Sequence, residues 1–388
     1  MTEVVDIKNF QLWERMTEKL IPFGFDIDVT ARCNFNCRHC YINLSPGDLV
    51  AQEKEMSFRE IVDIAGQAVE LGALWCVLTG GEPLLRPDFA DLYLALKRLG
   101  LMVSVYSNAS LIQEEHIALF QKYPPRDLEV TVYGTTAKTF ERITRRPGSF
   151  AAFTGGLQRL LSGGVKVRLK AMALRSNLHE MNHIANFCRK HTKDYYRFDP
   201  LLHLRLDRNQ KRNKDIIDER LAPSEIAAME RSDPERSMVL DKHCEHFIQL
   251  EGDVLPYEAC QTCETREQCD RYTQFSRLLY CGAGLSGFSI SWDGQFRLCQ
   301  SLNAPGTTYD LRRGTLHDAW RQFVPKVRAL GVHSSEYLSN CKSCTIVNLC
   351  LNCPAHAWLE SGDCEAVVPY FCNVAHVRKE SLEKNRPR

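Results

Sequence analysis

The chain has 388 residues, enough for two or three domains and a sizeable core. Its 49 Lys and Arg nearly cancel 48 Asp and Glu, which excludes an overall field that would draw in nucleic acid or an acidic membrane. No secretory signal opens the sequence and no apolar run approaches the ~18 residues of a membrane span, so the expected setting is cytoplasmic. Seventeen cysteines without an export signal then point to metal rather than to disulfides.

In chain order, a short N-terminal segment (1–23) precedes a strand in which Phe25, Ile27 and Val29 alternate with Asp26, Asp28 and Thr30. Directly after it come Cys33, Cys37 and Cys40, spaced CX3CX2C and followed by Tyr41. A [4Fe–4S] cube normally takes four cysteines, so three thiolates this close can hold one at three irons and leave the fourth iron open. The plainer alternatives are three of four zinc ligands, or reduced cysteines in a loop. Ser57 and Glu60 form a capping box that opens a helix with Phe58, Ile61, Val62, Ala65 and Val69 on one face. The strand Trp75–Thr79 runs into Gly80-Gly81-Glu82-Pro83. Further strands are expected at Leu101–Tyr106, Leu128–Tyr133, Val165–Ala173 and Tyr195–Leu202. Helices fill the gaps, at 88–99, 113–123, 136–144, 150–162 and 179–191. Six strands alternating with helices imply parallel pairing and right-handed crossovers. Cys76 and Cys188 read as small core residues.

The cysteine triplet after a first strand, together with Gly80-Gly81-Glu82-Pro83 after a second, resembles the signature of the radical S-adenosylmethionine (SAM) superfamily. The resemblance implies an α/β fold, a partial (β/α)6 TIM-like barrel over 24–203, whose chemistry sits at the C-terminal strand ends. It implies a [4Fe–4S] cluster on Cys33, Cys37 and Cys40, whose open iron chelates SAM. The backbone of Gly80 and Gly81 would approach the SAM amino group with Glu82 beside it, and Ser107 and Asn108 would bond its ribose or carboxylate. One of Arg142, Arg145 and Arg146 is a candidate for the carboxylate.

Residues 204–280 read as a bridging region. Arg205, Arg208, Lys211, Arg212, Lys214 and Arg220 suggest a solvated linker or helix face, or else a polar arm for an acidic peptide. Pro223-Ser224-Glu225 starts a short helix, and Cys260, Cys263 and Cys269 follow as CX2CX5C. From Cys281 to Cys299 the pattern is CX12GX4C. Phe288, Ile290 and Trp292 alternate into the turn signal Asp293-Gly294, so a hairpin can present a thiol at each end. Cys341, Cys344, Cys350 and Cys353 then read CX2CX5CX2C, and Cys372 closes the set. This field over 281–388 resembles the SPASM extension, a C-terminal cysteine-rich iron–sulfur domain that holds two auxiliary [4Fe–4S] clusters. Its last gap is one residue shorter than usual. Carried over, one cluster takes Cys281, Cys299 and Cys353 with a fourth thiol from Cys244, Cys260, Cys263 or Cys269. The other takes Cys341, Cys344, Cys350 and Cys372. Cys364 is left over. A pair of zinc ribbons is the alternative. His356 and His376 fall on helices and carry no assigned role.

The resemblance implies an enzyme that modifies a ribosomally made precursor peptide through a 5′-deoxyadenosyl radical, giving a cross-link, an epimer or a rearrangement. Its electron donor would be flavodoxin- or ferredoxin-like. The barrel begins by residue 24, so a separate small leader-binding protein is a candidate partner. A sulfatase-maturing Cys or Ser oxidase is the nearest alternative, although Gln300 stands where those enzymes tend to carry an acid. A radical oxidoreductase of a small metabolite and a metal- or peptide-binding scaffold are further alternatives. No side chain is identifiable as a general base.

Overall fold

Strand β1 (Gly24–Thr30) forms because its alternation gives it two unlike faces. Phe25, Ile27 and Val29 are buried against the helical layer, and Asp26, Asp28 and Thr30 share the opposite face. The computed structural model describes residues 19–192, 196–238, 276–279, 281–350 and 352–384, so Cys244, Cys260, Cys263 and Cys269 lie outside the described residues.

Five more strands pair in parallel beyond β1: β2 (Trp75–Gly80), β3 (Met102–Ser107), β4 (Leu128–Val132), β5 (Arg168–Met172) and β6 (Arg197–Asp199). The crossovers are helical. They include α1 (Phe58–Glu70), opened by the expected Ser57–Glu60 capping box, α2 (Phe89–Arg98), α3 (Glu114–Lys122), α4 (Ala137–Thr144), α5 (Ser149–Ser162) and α6 (Met181–His191). Cys76 and Cys188 are both fully buried in this core. Strand β5 starts three residues later than its apolar run suggests. Val165 spends its amide on Leu160 O, closing the end of α5 rather than joining the ladder.

The sheet does not stop at β1. β7 (Gly287–Ile290) lies parallel to β1 from Gly24↔Gly287 to Ile27↔Ile290, and β8 (Gln295–Arg297) and β9 (Thr308–Asp310) follow antiparallel. The order is β6-β5-β4-β3-β2-β1-β7-β8-β9. The hairpin expected to belong to the C-terminal appendix therefore shares the barrel's sheet. Phe25 and Phe288 stack with centroids 5.2 Å apart, which pins the register, and β1 is no longer an open edge.

Beyond β6 come α7 (Gln210–Glu219) and α8 (Pro223–Ser232), which begins at Pro223 as expected. The C-terminal part adds α9 (Pro354–Ser361) and α10 (Pro369–Lys384). Glu230 on α8 and Arg378 on α10 form a buried two-pronged ion pair at 3.0 and 2.6 Å, and Arg378 also donates to Leu349 O at 3.0 Å. Removing one member of such a pair leaves the other charge buried alone, at a cost of ~3–5 kcal/mol. Glu230→Ala is thus expected to lower unfolding free energy by about that much in urea titration. A change under ~1 kcal/mol would show that the pair does not join these helices.

Candidate active site at the mouth of the barrel

The loop after β1 is anchored on both sides. Cys33 N donates to Leu44 O at 3.0 Å, Asn36 N to Thr144 O at 2.9 Å and Arg38 N to Ile143 O at 3.0 Å, tying the loop to the end of α4. Cys33, Cys37 and Cys40 all line one cavity of about 470 Å³ at the C-terminal strand ends. Burial pushes the Cys33 thiol up, with Glu82 and Cys40 adding to it, and burial with the neighbouring thiols holds Cys37 well above its usual range. Loading metal onto them therefore releases protons, because the ligand is the thiolate.

The second motif meets the first backbone to backbone. Gly81 N donates to Thr30 O at 2.7 Å and Glu82 N to Arg32 O at 2.9 Å. Gly80 has φ +127°, and a Cβ there would lie 2.2 Å from Thr30 O; one at Gly81 would lie 2.1 Å from Arg32 O. Both glycines line the cavity, but what requires them is the close approach of β1 to β2. Glu82 is fully buried. It accepts from Ser107 Oγ at 2.9 Å, from Asn108 N at 2.7 Å and from Leu84 N at 3.1 Å. Burial pushes its carboxyl up to about 7 against these hydrogen bonds. Glu82 thus ties the end of β3 to the end of β2 and holds Ser107 and Asn108 at the cavity wall. Asn108 Nδ2 donates to Asn34 Oδ1 at 2.9 Å and reaches Cys33 Sγ at 3.8 Å, closing the ring between the two motifs.

Below the thiols the inward faces of the strands are polar. Lys170 Nζ sits 2.7 Å from Glu129 Oε2 and 4.0 Å above the Tyr106 ring, with Asp26 and Asp199 on the same cavity. Gln300 reaches in from the C-terminal hairpin and donates to Tyr41 Oη. Its Nε2 is also 3.5 Å from Oδ1 of Asp28, whose carboxyl burial pushes up to about 7. The polar positions of the period-two strands were the available signal for this wall.

Arg145, one of three candidates for the carboxylate, is paired with Asp215 at 2.5 Å. The arginines expected on a solvated linker are also engaged. Arg205 is 3 % exposed and donates to Cys40 O at 3.1 Å, Arg212 donates to Cys37 O at 3.1 Å, and Arg220 is ion-paired with Glu360. Charge alone made them look solvated; the carbonyls that hold Arg205 and Arg212 lie 165 and 175 residues away in sequence.

The distal thiols gather as two groups. Cys341, Cys344, Cys350 and Cys372 line a second cavity of about 330 Å³. Cys299 is raised by burial and further by Cys353 and Cys281, which are its electrostatic neighbours. At Cys353 burial would raise the thiol, but the His356 side chain and the amides at the start of α9 outweigh it and lower the net value. Among the described residues no three His, Cys, Asp or Glu side chains converge tightly enough for a single metal ion.

A model of the Radical SAM superfamily matches residues 27–188. These residues are a radical SAM domain. The domain holds both the thiol triplet and the Gly80–Pro83 turn. The antilisterial bacteriocin subtilosin biosynthesis protein AlbA of Bacillus subtilis (strain 168) is 24 % identical over 280 residues, covering 72 % of this chain and 55 % of that protein. The PqqA peptide cyclase of Streptomyces rochei is 39 % identical over 87 residues, 22 % of this chain and 23 % of that one. The chain spans about half the length of the curated relatives it matches. In fold it is similar to Streptococcus suis SuiB bound to S-adenosylmethionine (TM-score 0.60, 15 % identity, 94 % of this chain and 80 % of that one). It is similarly close to SuiB bound to precursor peptide SuiA (TM-score 0.58, 16 % identity, 88 % and 76 %).

Proposed function

We propose that this chain is a SAM-dependent radical enzyme that modifies a ribosomally made precursor peptide. The observation that carries the reading is the convergence of Cys33, Cys37 and Cys40 with Gly80, Gly81, Ser107 and Asn108 on one cavity. Three thiols, with no fourth cysteine among the described residues lining that cavity, fit a [4Fe–4S] cube that keeps one iron free. When bound, that cube supplies the electron that cleaves SAM to methionine and a 5′-deoxyadenosyl radical. The chain's own part is placement. The Gly80–Gly81 backbone and the Ser107–Asn108 edge form the wall against which SAM is held, and Glu82 keeps those two strand ends in register. The barrel encloses the reacting atoms and keeps solvent and side reactions away. The polar wall of Asp26, Tyr106, Glu129 and Lys170 faces the substrate side and offers hydrogen bonds to a peptide.

Cys341, Cys344, Cys350 and Cys372 would hold one auxiliary [4Fe–4S] cluster, and Cys281, Cys299 and Cys353 three corners of another. Cys350→Ala is then expected to lose about four irons per chain by metal analysis while SAM cleavage persists. Unchanged iron would remove Cys350 from the ligand set. The similarity to AlbA and PqqA peptide cyclase, whose names describe bacteriocin biosynthesis and peptide cyclisation, supports a peptide as substrate. A flavodoxin- or ferredoxin-like donor and a separate leader-binding protein complete the proposed set of partners. Among the described residues no helix is long and apolar enough to cross a membrane. The test is anaerobic incubation with SAM, dithionite and, in turn, each short peptide encoded by a gene neighbouring the one for this chain. Release of 5′-deoxyadenosine together with a mass change in the peptide supports the reading; 5′-deoxyadenosine without a peptide change rejects the substrate.

A further inference from the structure

Two guanidinium groups from outside the barrel reach the loop that carries the first three thiols. Arg205 Nη1 donates to Cys40 O at 3.1 Å and to Asn43 Oδ1 at 3.0 Å, and its other nitrogens hold Asp207 at 2.9 and 2.7 Å. Arg212, near the start of α7, donates through Nη2 to Cys37 O at 3.1 Å and Asn43 Oδ1 at 3.0 Å, and through Nη1 to Asn36 Oδ1 at 2.6 Å. Their charges are compensated unequally. Asp207 is bidentate on Arg205, whereas among the described residues the acid that comes within 4 Å of Arg212 is Asp215, 3.9 Å away and committed to Arg145 at 2.5 Å. Among the described residues the Arg212 charge, which faces the thiol loop, therefore has no closely seated carboxylate of its own, Asp207 and Asp215 being held by Arg205 and Arg145.

We propose that Arg212 is a positioning residue for the first cluster, which fixes the Cys37 carbonyl and sets the cluster's reduction potential through its charge, while Arg205 holds the adjoining Cys40 turn. Reduction adds one negative charge to the cluster. A cation fixed nearby in a poorly solvated place stabilises that state and raises the potential. Carbonyls beside the distal thiols also accept from arginine, Cys281 O from Arg328 Nη1 at 3.0 Å and Leu349 O from Arg378, although Arg378, unlike Arg212, is ion-paired with Glu230. The inference rests on the radical SAM reading of the site.

The test is an EPR-monitored redox titration of the anaerobically reconstituted full chain, following only the part of the reduced signal that changes when SAM is added. Arg212→Gln is expected to move that midpoint to more negative potential at unchanged iron content, so severalfold fewer chains are reduced at a fixed potential. Arg212→Lys, which keeps the charge, is expected to recover most of the shift. Asp207→Asn, at a half-exposed side chain, releases the Arg205 charge and is expected to move the midpoint the other way. An unmoved midpoint in R212Q overturns the proposal. So does a lysine variant identical to the glutamine variant, or a D207N shift in the same direction as R212Q. If R212Q fails to retain its cluster, the D207N shift alone decides. Absence of any SAM-responsive signal in the unaltered chain overturns this proposal and the functional reading together, whereas a normal signal with unmoved midpoints overturns this proposal alone.

Discussion

Alanine at Cys37 is expected to abolish release of 5′-deoxyadenosine from SAM, a loss larger than the ~10–100-fold that removal of an outer-shell partner costs a metal site. Cys37 is buried, it lines the cavity beside Cys33 and Cys40, its carbonyl accepts from Arg212, and the amides of its neighbours Asn36 and Arg38 are held by the end of α4. With one of three thiolates gone, two irons rather than one lack a protein ligand, and a cube held at two corners is lost readily. The auxiliary thiols are far along the chain, and Cys341, Cys344, Cys350 and Cys372 share a cavity of their own, so iron content is expected to fall by about four per chain rather than to zero. Quantifying 5′-deoxyadenosine and iron in the same preparation checks both halves. Near-normal turnover in Cys37→Ala would show that the triplet is not the seat of the chemistry.

The second large effect is expected at Gly81. A methyl group there would meet Arg32 O at 2.1 Å, Arg32 C at 2.6 Å and Ala31 O at 2.7 Å, all backbone atoms of the strand end that leads into the thiol loop. Backbone cannot swing aside as a flexible side chain does, so Gly81→Ala must part the ends of β1 and β2. Overpacking of this kind costs on the order of 1–3 kcal/mol. It also displaces the wall on which SAM is proposed to rest, and a 1 Å misplacement of a reacting group can cost about 100-fold in rate. The expected result is a folded, iron-replete protein with SAM cleavage down roughly that much. Gly66, inside α1 with nothing within 4 Å of where a methyl group would stand, is the control. Gly66→Ala is expected to leave cleavage unchanged and to raise stability by about 0.5–1 kcal/mol. Comparing SAM cleavage and urea midpoints of the two variants separates the local clash from any general effect of alanine.

Much of this site is legible in the sequence because its signals are local. The alternation through Val29, the spacing of the three thiols and the Gly80–Pro83 run each depend on a few adjacent residues, and all of them fall at strand ends once the strands are placed. Cys341, Cys344, Cys350 and Cys372 are likewise found together on one cavity. What stays hidden depends on distance along the chain. The strand Gly287–Ile290 reads as half of a hairpin, but nothing in it states that it pairs with β1; that follows from Phe288 meeting Phe25 across 263 residues. Arg205 and Arg212 are charged residues among other charged residues, and only the folded chain reveals that their hydrogen bonds go to Cys40 O and Cys37 O. Glu82 shows a third kind of limit. Its place in the motif is plain, but its task of tying Ser107 and Asn108 to the glycine turn becomes visible only when β2 and β3 stand side by side.

The most direct test of the account is EPR of the full chain, purified without oxygen and reduced with dithionite, recorded before and after SAM is added. A reduced [4Fe–4S] signal is expected, part of which shifts on SAM addition and disappears in Cys37→Ala. Zinc in place of iron with no acid-labile sulfide, or an iron–sulfur signal wholly indifferent to SAM, would contradict it.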